Sequence, residues 1–332
     1  MGRLLIGLLV LVGIVALIAA GGYFALRRGD IAYESLASRY ESSASRYVDL
    51  PGGVHMHYRD EGNRNGETLL LIHGYSASLH TWERWVYELG GDYRIVTLDL
   101  PGHGLTRAPA GYAASIEAFR DAVDGFAQAE NLTRFALAGN SMGGNVAWEY
   151  ALAHPDKVDA LILADSSGWE ETRTENAEEP LIFKLLRNPI SAAALRDLDN
   201  TRLIRQGLQA SFADPALVDD AMVTRYGELA RAPGHRDILL QLMLDFRARN
   251  YATPERLAAL SMPVLILQGA QDNLVSPGDA QKFHDAIRGS ALVVFDTAGH
   301  IPQEESPAES AAAVRDFLSR ARAREAAAVA AE

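Results

Sequence analysis

The sequence contains no cysteine. Disulfides, cysteine-ligated zinc, iron–sulfur clusters, a thiol nucleophile and cysteine-borne lipid anchors are therefore excluded. The redox compartment stays open, since a cysteine-free chain suits either side of a membrane. Basic residues are outnumbered: 31 Lys and Arg against 43 Asp and Glu give a net charge of −12. That balance carries no footprint for nucleic acid, and no nucleic-acid partner is expected. No G-x-G-x-x-G or Walker spacing occurs, so Gly102-His103-Gly104 is not a phosphate cradle. His55 and His57 share one strand face, but no third histidine or carboxylate accompanies them at ligand spacing. No metal centre is expected there. Internal repeats are also missing. What remains is 48% hydrophobic and 22% charged, which excludes disorder as the main state. A length of 332 residues allows one large domain or two ordinary ones.

Residues 4–26 are uncharged and almost wholly apolar. As a helix they extend about 34 Å, enough for a hydrocarbon core of about 30 Å. They read as an uncleaved membrane anchor, with a lipid bilayer as partner. A cleaved signal peptide is the competing reading, with Ala19–Gly22 as the small-residue site, although the apolar run exceeds the usual h-region. Arg27, Arg28 and Arg39 against Arg3 hint at a cytoplasmic globule, but the N-terminal amine narrows the gap and orientation stays open. Residues 29–46 are polar and read as a linker.

From residue 47 onward, strands and helices alternate. Tyr47–Leu50 and Val54–Arg59 flank Pro51-Gly52-Gly53, a hairpin signal. Short apolar runs follow at 69–72, 94–98, 135–138, 161–164, 264–267 and 292–295. Such unbroken runs predict strands of a parallel sheet covered on both faces. Ile116, Phe119, Val123 and Phe126 recur at helical spacing behind Ser115, a predicted N-cap, and 145–153 also reads as helix. Between 168 and 259 the rhythm stops. That stretch is strand-poor and reads as an inserted helical cap. Residues 319–332 extend the last helix.

Gly139-Asn140-Ser141-Met142-Gly143 is a G-x-S-x-G placed between a predicted strand and a predicted helix. A strand-to-helix turn this tight strains the serine and exposes its hydroxyl above the sheet. A serine hydroxyl needs a base, and the base an orienting acid. His300 follows the 292–295 strand and is the base candidate. Two acids compete: Asp272 after the 264–267 strand and Asp165 after the 161–164 strand. Oxyanion stabilisation is assigned to the backbone N–H groups of Met142, directly after the serine, and Tyr75, in the loop after the 69–72 strand.

The motifs HGYSAS, DLPGHG, GNSMGG, GAQDNLVSP and AGHIPQEESP, in this order, resemble the α/β-hydrolase superfamily over about residues 47–320. Within it the chain is most similar to membrane-anchored bacterial lipases and esterases and to the monoacylglycerol-lipase-like branch. The resemblance implies an α/β-hydrolase fold: a mostly parallel sheet with helices on both faces and an inserted cap. It also implies a serine hydrolase without cofactor, acting on a small acyl ester. Asp272 is the preferred acid, because its Gly-Ala-Gln-Asp turn resembles the usual acid loop of the superfamily. The implied organisation is an anchor or signal segment at 1–28, a linker at 29–46, a hydrolase core at 47–167 and 260–320, a cap at 168–259 and a helical tail at 321–332. Trp169, Leu181 and Phe183, at the start of the cap, are candidates for the substrate pocket. His73 and His103 are implied to be structural. The preferred activity is cleavage of carboxylic esters such as monoacylglycerols or medium-chain acyl esters. A C–C-bond hydrolase of a ring-cleavage product shares the GNSMGG-like elbow, although Ile301 replaces the tryptophan usual after its histidine. A non-catalytic binding protein of the same fold is the other alternative. Oligomeric state is not legible.

Overall fold

Alternate residues of a strand face opposite sides, so an unbroken apolar run is stable only where both sides are covered. The computed structural model describes residues 2–170, 187–244 and 250–330. Among these, the strands are β1 (Ser45–Leu50), β2 (Val54–Gly62), β3 (Thr68–Ile72), β4 (Arg94–Leu98), β5 (Phe135–Asn140), β6 (Val158–Ala164), β7 (Val264–Gly269) and β8 (Ala291–Phe295). The early helices are α1 (Gly2–Leu26), α2 (Tyr33–Tyr40), α3 (Glu83–Leu89), α4 (Ile116–Ala129) and α5 (Met142–Ala153). Between β6 and β7 come α6 (Pro189–Arg196), α7 (Thr201–Ser211), α8 (Asp220–Leu229), α9 (His235–Leu244) and α10 (Pro254–Leu257), with no strand among the described residues. The last helices are α11 (Pro277–Ala286), α12 (Pro302–Glu305) and α13 (Pro307–Val329).

One sheet runs in the order β1-β2-β4-β3-β5-β6-β7-β8. The first two pairings are antiparallel and the rest parallel. The expected hairpin closes with Leu50 opposite Val54, and Gly52 and Gly53 both take positive φ. Leu70, Ile72, Leu137, Leu161 and Ile266 pack on one face under α4, α5 and α11. Their neighbours Leu69, Leu71, Ala138, Ile162 and Leu265 pack on the other face under α3 and α13. The sequence-adjacent partition is the strand period made physical. Ser115 caps α4 as expected, its Oγ accepting from Ala118 N at 3.0 Å.

Residues 29–46, expected as a linker, instead hold α2 and act as a strap across the helices that follow β6. Leu36 is fully buried with Leu105, Leu229 and Ala232. Arg28 N donates to Asp197 O and Asp199 N donates to Leu26 O. Arg236 pairs with Asp30, Arg28 with Asp199, and Arg39 with Glu228. Polar composition suggested a free segment because each charge was read without its partner, more than a hundred residues away.

The helix α1 covers the run expected as an anchor, and Ile6, Leu17, Ile18 and Phe24 are exposed on it. Its side chains are described only in part. Among the described residues no helix is long and apolar enough to cross a membrane. The transmembrane anchor expected from residues 4–26 is therefore not shown by the fold.

Candidate active site

Strand β5 ends at Asn140 and α5 begins at Met142, so Ser141 alone makes the turn. Its φ of 55° and ψ of −120° lie where a side chain is strained. The flanking glycines make the turn possible. A Cβ on Gly139 would stand 2.1 Å from Gly143 O, and one on Gly143 would stand 2.2 Å from Ile72 O. Backbone bonds over-determine the strained residue: Ser141 N donates to Ala164 O, and Ser141 O accepts from Asn145 N and Ser167 N.

His300 lies beyond β8, and its Nδ1 donates to Asp272 Oδ2 at 2.7 Å. The other Asp272 oxygen accepts from Leu274 N at 2.7 Å and Val275 N at 3.0 Å. Burial opposes the Asp272 charge. The His300 bond and charge, with the two N–H groups, outweigh it and hold the carboxyl below its usual pKa. Asp272 thus faces His300 as an anion, which assigns the Nδ1–H tautomer and leaves Nε2 as acceptor.

Asp165 is brought to the same place but does not bond His300. Its Oδ1 accepts from Gly269 N at 2.8 Å and Gln268 Nε2 at 2.9 Å, tying β6 to β7. Burial pushes its carboxyl well above the usual range, and the Asp272 charge pushes it further.

Ser141, His300 and Asp272 line one cavity of about 910 Å³. Tyr75, Met142 and Trp169 line it too, as do Leu208, Tyr226, Leu242, Tyr251, Leu274 and Val275. The Trp169 ring packs edge-on against Phe283, with Lys282 above its face. Leu181 and Phe183 lie outside the described residues. Trp82, Trp85 and Trp148 are fully buried and serve packing.

The other histidines are held in local bonds. His73 is buried, donates from Nδ1 to Gly74 O and accepts Leu100 N at Nε2; burial lowers its pKa. His55 pairs with Asp49, while His57 pairs with Asp99 and reaches Ser45 Oγ at 2.9 Å. Sequence spacing offered neither histidine a carboxylate. The β1–β2 pairing brings Asp49 to His55, and β4 brings Asp99 to His57.

Two residues around the site escaped the sequence reading. Asn140 donates from Nδ2 to His300 O at 3.0 Å and to Ala164 O at 3.2 Å, linking the serine turn to the histidine loop. Glu305 accepts Gly299 N at 2.8 Å and Ala213 N at 2.7 Å, joining that loop to the segment after α7. His300 N also donates to Ser211 O there. Asn140 sat in view at the variable position of G-x-S-x-G; nothing local marked Glu305.

A family profile for the α/β hydrolase fold matches residues 67–307. The chain is 32% identical over 248 residues to a pimeloyl-[acyl-carrier protein] methyl ester esterase of Neisseria meningitidis, covering 75% of each chain. It is 28% identical to a 2-hydroxymuconate semialdehyde hydrolase of a Pseudomonas species, over 82% of this chain and 93% of that one. Among solved structures it is similar to a membrane phospholipase A, with a TM-score of 0.70 and 26% identity over 97% of this chain and 99% of that chain. The matched profile spans the strained serine, both carboxylates and the histidine within the eight-stranded sheet, and the chain belongs to the α/β-hydrolase fold family and is a hydrolase.

Proposed function

We propose that this hydrolase cleaves carboxylic esters through an acyl-enzyme on Ser141. The carrying observation is the strained Ser141 on the same cavity as a His300 whose Nδ1–H is held by Asp272 at 2.7 Å. Ser141 Oγ attacks the ester carbonyl as His300 Nε2 takes its proton. Asp272 holds the imidazole tautomer and stabilises the imidazolium. The N–H groups of Met142 and Tyr75 stabilise the oxyanion. His300 then protonates the leaving alcohol, and water activated by the same imidazole releases the acid. Tyr226, Leu208, Leu242, Leu274, Val275 and Trp169 supply a surface suited to an acyl chain. The esterase relative and the membrane phospholipase A neighbour support ester chemistry.

A fluorophosphonate probe should label the wild type, and a p-nitrophenyl ester series run beside monoacylglycerol should give turnover that rises from short to medium chains. Turnover of a ring-cleavage product with none of any ester would favour C–C hydrolysis, which the 2-hydroxymuconate semialdehyde hydrolase relative keeps as the second reading. No labelling and no turnover would point to a binding protein.

Attachment to a lipid bilayer through residues 4–26 is part of the same proposal. It is supported by the uncharged run and by the exposed apolar side chains of α1. Full-length protein should pellet with membranes and resist carbonate extraction. A chain begun at Arg27 keeps the Arg28–Asp199 and Arg236–Asp30 pairs and should stay in the supernatant with ester turnover unchanged. Maturation to a soluble form lacking residues 1–21 would replace the anchor with a signal peptide.

A further inference from the structure

Asp165 is a carboxyl beside the site that the reaction does not use, and its placement is unusual on three counts. It is fully buried. Its φ is 44°, a conformation that non-glycine residues adopt rarely. One oxygen accepts from Gly269 N and Gln268 Nε2, while Oδ2 has no hydrogen-bond partner among the described residues. Asp165, Asp272 and His300 each bring a polar atom within 4.8 Å of the other two.

Two buried carboxylates this close cannot both ionise cheaply. Asp272 is the better-supported anion, since it accepts from His300 Nδ1, Leu274 N and Val275 N. Asp165 accepts only neutral donors on one oxygen. Any proton shared by the pair therefore belongs on Asp165, whose buried Oδ2 has no hydrogen-bond partner among the described residues. The other titratable group acting on Asp165 is Glu305, whose charge also disfavours a second anion.

We propose that Asp165 is a positioning residue: a neutral carboxylic acid that turns its Oδ2–H toward the Asp272 carboxylate and so sets the base strength of His300. The proposal rests on Ser141, His300 and Asp272 performing the chemistry. The Asp272 carboxylate then gains a further donor beside His300 Nδ1, Leu274 N and Val275 N. A partly neutralised Asp272 stabilises imidazolium less. Burial and the Asp272 charge, which raise the Asp165 carboxyl well above its usual range, agree with this arrangement.

The test compares Asp165→Asn with Asp165→Ala. Asparagine mimics the protonated acid: Oδ1 keeps the Gly269 and Gln268 donors, Nδ2 supplies a donor toward Asp272, and asparagine tolerates positive φ. Asp165→Asn should keep kcat within about threefold and leave the acid limb of the pH–rate profile in place. Asp165→Ala removes the donor, so Asp272 becomes more basic and the acid limb should move upward by about half a pH unit or more. A large loss or a shifted limb in Asp165→Asn overturns the proposal, and so does an unshifted limb in Asp165→Ala.

A second measurement needs no turnover and no alanine variant. An acid whose folded pKa is raised takes up a proton on folding, so its contribution makes stability fall as pH rises above about 3.9, the unfolded value. Melting temperatures between pH 5 and 8 should therefore fall more steeply for wild type than for Asp165→Asn. Equal slopes would mean that Asp165 is ionised, and the proposal fails. Fluorophosphonate labelling of wild type keeps the outcomes apart. If wild type does not label, the ester-hydrolase reading fails, whereas the melting slopes still report on the Asp165 proton.

Discussion

Ser141→Ala should abolish fluorophosphonate labelling and lower ester turnover by about four to six orders of magnitude, as removal of the nucleophile of such a set does. The fold should be unchanged. Among the described residues, the bonds that hold residue 141 are made by its backbone: N to Ala164 O, and O from Asn145 N, Ser167 N and Ser167 Oγ. Alanine meets the same strain at φ 55° that serine does, and it removes only one hydroxyl from the cavity wall. The measurement is kcat for a short-chain ester with a thermal melt alongside. Retention of more than about a hundredth of wild-type turnover with an unchanged melt would refute Ser141 as nucleophile.

Asp272→Asn should cost on the order of 10⁴ in kcat, the size of loss seen when an orienting aspartate is made an amide. The local bonding gives the reason. Leu274 N and Val275 N fix one carboxyl oxygen. An asparagine must keep its Oδ1 on those donors, which turns its NH₂ toward His300 Nδ1. His300 can meet that donor only by giving up the proton on Nδ1 and carrying it on Nε2, where it blocks proton transfer from Ser141. Asp165→Asn has no such effect, because Asp165 does not touch the imidazole. Parallel kcat measurements on the two variants decide the matter. A larger loss in Asp165→Asn with an unchanged melting temperature would make Asp165 the orienting acid.

Much of the fold and half of the site were legible along the chain because they depend on short contiguous stretches. The apolar runs at 69–72, 135–138, 161–164 and 264–267 could be stable only as strands covered on both faces. Packing under α4, α5 and α11 on one side and α3 and α13 on the other supplies that cover. The serine turn was legible for the same reason. Gly139, Ser141 and Gly143 impose one backbone geometry within five residues; a Cβ on Gly139 would meet Gly143 O of the turn itself, while one on Gly143 would meet Ile72 O at the end of β3.

The charges misled where their partners were distant. Residues 29–46 read as a linker because the stretch is polar, with Asp30 and Arg39 among its charges. Arg236 and Glu228 meet them only after the helices beyond β6 fold back over α2. Glu305 was one of two acids in PQEESP until the segment after α7 supplied Ala213 N as its second donor.

Composition and local pattern by themselves determined that this chain has a parallel α/β core, a strained serine between strand and helix, and an acid and a histidine following later strands. Tertiary structure alone decided the crossed strand order β2-β4-β3-β5 and the strap formed by α2, and it placed the preferred Asp272 against the imidazole. Both Asp165 and Asp272 follow core strands, so chain position cannot separate them. The pairing of β6 with β7 turns Asp165 onto Gly269 N, while the loop after β7 turns Asp272 onto His300. A motif is readable when its constraint closes within a few bonds of backbone. A hydrogen-bond partner is not, because it depends on where three separate strands end relative to one another.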